Sequence, residues 1–179
     1  MLTVDNAILV VIDIQDKLFR VMPDGEMLLQ KVLKLVRGAQ VLDVPIILTE
    51  QYPAGLGPTL PEIARLLPDI KPVDKFCFSC CDEERFCREL ESRHRQQGLV
   101  AGIEAHICVY QTAMDLLGLG YQVQVVVDCI SSREPEDKEV CLTRMSQDGI
   151  SLTTVEMALF ELLRVAKGEK FKQISSIVK

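Results

Sequence analysis

The residues Gly102-Ile103-Glu104-Ala105-His106-Ile107-Cys108-Val109 follow the apolar run Gly98–Ala101 and precede an amphipathic segment that reaches Leu119. That order reads as strand, sharp turn and helix, with a thiol in the helix's first turn. Unpaired N–H groups and the positive end of the helix dipole meet at such a place. A thiol there is expected to lean toward the thiolate, the form that attacks carbon. Two other residues occupy matching positions: Asp13 closes the run Ala7–Ile12, and Lys75 closes Pro72-Val73-Asp74. A carboxylate within reach would accept the thiol proton. An ammonium nearby would stabilise the thiolate and keep Asp13 ionised. Backbone N–H groups of the turn would then face a developing oxyanion. The implied chemistry is attack on a carbonyl or similar sp² carbon, a covalent intermediate and hydrolysis. Singly, each residue has a plainer reading: an Asp that ends a turn, a solvated lysine, an inert apolar cysteine.

What joins them is the alternation of elements along the chain. Ala7–Ile12 is a continuous apolar run, the mark of a strand buried on both faces. Gly25–Leu42 carries apolar residues at helical spacing, with Asp24 as its expected cap. Val44–Thr49 is a second strand, followed by a long loop from Glu50 to Pro61 and a short helix over Leu60–Leu67. Pro72–Lys75 is a weak strand. Cys81–Arg95 reads as a helix capped by Asp82. Leu99–Gly102 and Tyr121–Asp128 are strands around the helix His106–Leu119. Pro135–Asp148 is a helix started by Ser132 or by Glu134-Pro135. Ile150–Thr153 is a last strand, Val155–Val165 a helix capped by Thr154, and Lys167–Lys179 a polar tail. This pattern predicts one α/β domain over residues 1–179, a Rossmann-like doubly wound sheet of about six mainly parallel strands with helices on both faces. In such sheets ligands bind beyond the carboxyl ends of the strands, where strand order reverses. Asp13, Thr49, Lys75, the Gly102–Cys108 turn and Asp128 all fall at those ends.

The net charge of −6 argues against a nucleic-acid or anionic-membrane partner. No apolar run is long enough to span a bilayer. The N-terminus runs straight into a strand with no signal peptide visible. Seven cysteines, an odd number in a chain of 179 residues, point to reduced thiols and a cytoplasmic location rather than a disulfide framework.

The chain resembles the isochorismatase-like cysteine hydrolase superfamily, which includes nicotinamidases, N-carbamoylsarcosine amidases and isochorismatases. The matching segments are Val11-Ile12-Asp13-Ile14-Gln15, Lys75-Phe76-Cys77-Phe78-Ser79 and Gly102–Val109. Its details are most similar to the isochorismatase domain-containing subgroup, through Thr49-Glu50-Gln51-Tyr52-Pro53, Gly55-Leu56-Gly57-Pro58-Thr59 and Ser131-Ser132-Arg133 followed by Glu136-Asp137. The resemblance implies a catalytic triad of Asp13, Lys75 and Cys108. It also implies a cis Ile103–Glu104 peptide, with the backbone amides of Glu104 and Cys108 turned toward the substrate oxygen. By analogy of position, Phe19, Gln51, Tyr52, Phe78 and His106 would wall the pocket. It further implies a homo-oligomer, a dimer or tetramer, acting on a small-molecule amide, imide or related C–N bond. Nicotinamidases bind a metal through an Asp-x-His pair and a further His. This chain has Glu50-Gln51-Tyr52 there and only His94 and His106 in all, so no such site can be assembled and neither metal nor cofactor is expected.

Cys77, Cys80, Cys81 and Cys87 look like half of a zinc site but lack a second ligand pair at a usable spacing. His106 either orients substrate or serves as a helix cap or subunit contact. Two other functions compete with amide hydrolysis. One is a non-catalytic or thiol-redox binding protein on the same scaffold. The other is vinyl-ether hydrolysis of the isochorismatase type, which need not use a thiol.

Overall fold

A computed structural model describes all residues 1–179. Six strands form one sheet: β1 (Ala7–Ile12), β2 (Ile46–Gln51), β3 (Val73–Lys75), β4 (Gln97–Ile103), β5 (Gln122–Ser131) and β6 (Ser151–Thr153). Every pairing is parallel and the order is β3-β2-β1-β4-β5-β6. This is the doubly wound order whose direction reverses between β1 and β4. The helices are α1 (Asp16–Phe19), α2 (Gly25–Val41), α3 (Pro53–Leu56), α4 (Pro61–Ala64), α5 (Glu84–Ser92), α6 (Tyr110–Gly118), α7 (Pro135–Gln147), α8 (Val155–Leu163) and α9 (Glu169–Val178).

The alternation of β1 explains the two layers. Ala7, Leu9 and Val11 enter an apolar cluster with α2 and α8, while Ile8, Val10 and Ile12 enter another with α5, α6 and α7. All six are fully buried, and each large side chain contributes roughly 1.5–3 kcal/mol of burial. A central strand of this kind carries no polar face, so its first carboxylate, Asp13, falls where the strand ends.

Several local expectations need correction. Asp24 does precede α2, but with a left-handed φ of 50° and no side-chain capping bond. β2 runs on through Glu50 and Gln51, and α3 and α4 punctuate the loop that follows, with proline at each start. Asp82 is no cap. It ends a 3₁₀ turn (Cys80–Asp82) capped by Ser79, and Glu83 caps α5 instead. The segment after Lys167 is not merely a tail: it forms α9, anchored by the buried Ile174. β5 also breaks step with its neighbour, since Val100 opposes Val125 but Gly102 opposes Ile130. The residues between bulge out of the ladder. No helix is long and apolar enough to cross a membrane.

Candidate active site

Strand register brings the polar residues together. Ile12 pairs with Thr49 on one side and Gly102 on the other, and Gln51 pairs with Lys75. Asp13 turns off the end of β1 with a left-handed φ of 53°, a region that Asp tolerates better than most side chains. Its carboxylate is wholly buried. Oδ1 accepts from the Thr49 hydroxyl at 2.7 Å, and Oδ2 from Lys75 Nζ at 2.7 Å. Lys75 is wholly buried too. Its ammonium also donates to Gln51 Oε1 at 2.7 Å and to the carbonyls of Cys77 and Phe78, each at 3.2 Å. Burial alone would lower its pKa, but Asp13, Cys80 and Cys108 around it outweigh that, and the net shift is upward. Lys75 is therefore a fixed cation.

The turn after β4 supplies the thiol. Gly102 has φ 140°, and a Cβ there would stand 2.2 Å from the Ile12 carbonyl oxygen, so only glycine lets β4 pass β1 this closely. The Ile103–Glu104 peptide is cis. Residues Ala105–Val109 form a π-helical turn leading into α6, a geometry that recurs at functional sites. The Glu104 carbonyl accepts from the amides of Ile107 and Val109, which bracket that of Cys108. Cys108 is 5 % exposed. Burial, first, and the Asp13 carboxylate, second, push its thiol pKa far above the ordinary value, with Lys75 pulling the other way. The expectation of a thiolate-biased cysteine is thereby corrected. Desolvation and a neighbouring anion outweigh the helix dipole, and the resting group is a thiol beside its acceptor.

Around this centre, Glu104 is buried. Its carboxylate accepts from the Arg133 backbone N–H at 2.9 Å and from Arg133 Nε at 3.1 Å. His106 Nδ1 lies 2.8 Å from the buried Ser132 hydroxyl, and Nε2 lies 3.5 Å from Asp137. The Glu104–Arg133 and His106–Ser132 links tie the Cys108 turn to the loop after β5. Ser132 is thus a partner of His106 rather than the start of α7. Gln51 holds both Lys75 and the Phe76 carbonyl. Tyr52 and Phe78 stand at the surface, 47 % and 54 % exposed, with Tyr52 against Phe76 at 5.4 Å between ring centroids. Phe19 packs against the core beside Gly25. Glu50 serves the backbone and hydroxyl of Thr59. All seven cysteines are free thiols. Cys80 is fully buried beside Asp13 and Lys75 with its pKa pushed up to about 12, burial being the main cause. Residue-by-residue reading missed the Thr49 hydroxyl and the Glu104 side chain. Thr49 itself was expected at the end of the second strand, and the signal for its hydroxyl was that position, opposite Ile12.

A parallel sheet in this order, with thiol, carboxylate and buried ammonium at its point of reversal, has clear relatives. The isochorismatase domain family matches residues 7–157, and the chain belongs to that family. Isochorismatase domain-containing protein 2A of Mus musculus is 42% identical over 176 residues, covering 98% of this chain and 84% of that protein. Isochorismatase domain-containing protein 2 of Homo sapiens is 38% identical over 175 residues, 97% of this chain and 83% of that protein. Among solved structures, the MAR1 ribonuclease of Caenorhabditis elegans superposes with a TM-score of 0.92 at 35% identity, covering 99% of this chain and 91% of that one. The YcaC gene product of Escherichia coli, described as an octameric hydrolase of unknown specificity, gives 0.93 at 25% identity, covering 98% and 88%. Family and neighbours together point to a hydrolase.

Proposed function

We propose that this protein is a cysteine hydrolase that cleaves an amide, imide or related C–N bond of a small molecule. The observation that carries the reading is the wholly buried Asp13–Lys75 pair beside the Cys108 thiol. Two opposite charges are expensive to bury, and here they stand beside the Cys108 thiol at the sheet's point of reversal. Asp13 takes the thiol proton as sulfur bonds to the carbonyl carbon. The raised thiol pKa makes this transfer concerted with attack rather than a prior ionisation. The Glu104 and Cys108 amides hold the oxyanion. Collapse breaks the C–N bond, the leaving nitrogen takes the proton from Asp13, and a thioester remains. Asp13 then deprotonates water, which attacks the thioester, releasing the acid and restoring the thiol. Lys75 favours the anionic Asp13 that each deprotonation needs, first of the thiol and then of water.

The test is intact-mass analysis during incubation with a panel of small primary amides and imides. An acyl fragment confined to Cys108, rising and decaying as acid appears and absent in Lys75→Ala, supports the reading. Hydrolysis that persists in Cys108→Ala sinks it and leaves a thiol-independent reaction such as vinyl-ether hydrolysis. We also read the chain as a homo-oligomer, on the octameric YcaC neighbour. Light scattering that gives a monomer would remove that.

A second reading, RNA cleavage, is favoured by the 35% identity to a protein named a ribonuclease. The net charge of −6 disfavours it. End-labelled RNA cut by the wild type but not by Cys108→Ala or Asp13→Asn would establish it.

A further inference from the structure

A cavity of about 380 Å³ opens at the carboxyl end of β5, separate from Asp13, Lys75 and Cys108. Its floor is the end of β5, and its walls are the first turns of α2 and α7. Neither helix has a side-chain cap, Asp24 and Glu134 making no capping bond. The first amide donors of α2 are thus without a side-chain acceptor, whereas α7 opens on Pro135, which has no N–H, and its Asp137 amide donates to the Glu134 carbonyl at 3.2 Å. Inside it stands Ser131, 6 % exposed, whose hydroxyl takes part in no hydrogen bond. No fully buried side-chain polar atom lacks a partner, so this hydroxyl stays accessible to a ligand or to solvent.

Lys138 also lines the cavity. Its ammonium is held by the carbonyls of Val127 and Ile130 at 2.9 and 2.8 Å, which leaves one N–H of three unassigned. Burial lowers its pKa, and an anion would offset that lost solvation. The nearby acids oppose this weakly. Asp128 is occupied by the Val155 amide at 3.0 Å and Lys31 at 3.1 Å, and Asp24 is exposed at the rim. The remaining wall is apolar, from Met27, Leu28 and Ile130.

We propose that this cavity binds a small organic monoanion, its carboxylate on the Ser131 hydroxyl and the Lys138 ammonium and its apolar body against Met27, Leu28 and Ile130. The volume suits a compact organic molecule rather than a bare inorganic ion. Ser132 lines the same cavity and joins His106, two residues before Cys108, so an occupant sits one hydrogen bond from the nucleophile's turn.

Binding of 4-fluorobenzoate to the full-length protein, followed by fluorine NMR at fixed ionic strength, tests this. The expected result is one saturable site per chain with Kd below about 1 mM, retained in Cys108→Ala. It weakens by about tenfold in Lys138→Met and by about threefold in Ser131→Ala. Ser131→Ala removes a hydroxyl with no protein partner and leaves the fold intact, so it decides the matter if Lys138→Met fails to fold. Four results would overturn the proposal: no saturation by about 10 mM; loss of binding in Cys108→Ala, which would place the anion at the nucleophile; wild-type affinity in Ser131→Ala; or equal competition by inorganic phosphate.

Discussion

Replacing Lys75 by methionine keeps most of its length and removes its charge. Asp13 would then be a wholly buried carboxylate with the Thr49 hydroxyl and the Cys108 thiol as its side-chain donors. Breaking a buried ion pair from one side costs about 3–5 kcal/mol, because the remaining charge is neither hydrated nor paired. Loss of the bonds to Gln51 and to the Cys77 and Phe78 carbonyls places the change toward the upper end. With a urea slope of about 2 kcal/mol per M, the midpoint should fall by about 1.5–2.5 M, measured at one protein concentration. Neutralising both residues in Asp13→Asn/Lys75→Met should recover most of the loss, giving a coupling of at least about 1 kcal/mol. A single variant that loses less than about 1 kcal/mol, or a double variant no more stable than the single, would refute the view that these two charges exist for each other.

Asp13→Asn should speed iodoacetamide alkylation of Cys108 at pH 7 while abolishing turnover. The carboxylate raises the thiol pKa, so removing it lowers that pKa and enlarges the thiolate fraction, about tenfold per unit; slower alkylation on peptide mapping would contradict this. In the wild type the same reaction should accelerate steadily from pH 7 to 9, since thiolate appears only as pH climbs toward the raised pKa. Gly102→Ala should cost more than about 3 kcal/mol or yield no soluble protein, because the new Cβ meets the Ile12 carbonyl and the φ of 140° is strained; thermal unfolding checks it. Arg133→Ala leaves the buried Glu104 carboxylate on one backbone N–H. It should lower stability by about 1–2 kcal/mol, a Tm drop of about 2–8 °C, with a larger fractional loss in kcat than in KM.

Much of the sheet was legible because β1 and β5 are runs of branched apolar residues, and because three chemically unlike residues fall at or just past the ends of β1, β3 and β4. The rest was obscured for identifiable reasons. α9 hides a short apolar stripe of Phe171, Ile174 and Val178 among lysines and serines, and only Ile174 is fully buried, so its composition looks like a tail. The π turn at Ala105–Val109 has the same side-chain pattern as the α-helix that follows it, and sequence spacing does not separate the two. The thiol's protonation was misjudged because its spacing reveals the helix start, whereas burial, the larger cause, and the Asp13 carboxylate, roughly a hundred residues earlier, act only once the chain is folded. The Glu104–Arg133 and His106–Ser132 links likewise join segments that only the β4–β5 pairing brings side by side.

Lys75 has three protons and four oxygens of its own chain arranged around them. No proton is left over for a visiting molecule. A substrate can feel this cation only at second hand, through Asp13 and the thiol, and it is never weighed directly against another substrate. Discrimination then belongs to the surrounding loops and exposed aromatics, which can be rewritten without retuning the charge. A reactive centre insulated in this way can be handed from one small molecule to another in the course of descent while its own wiring stays untouched.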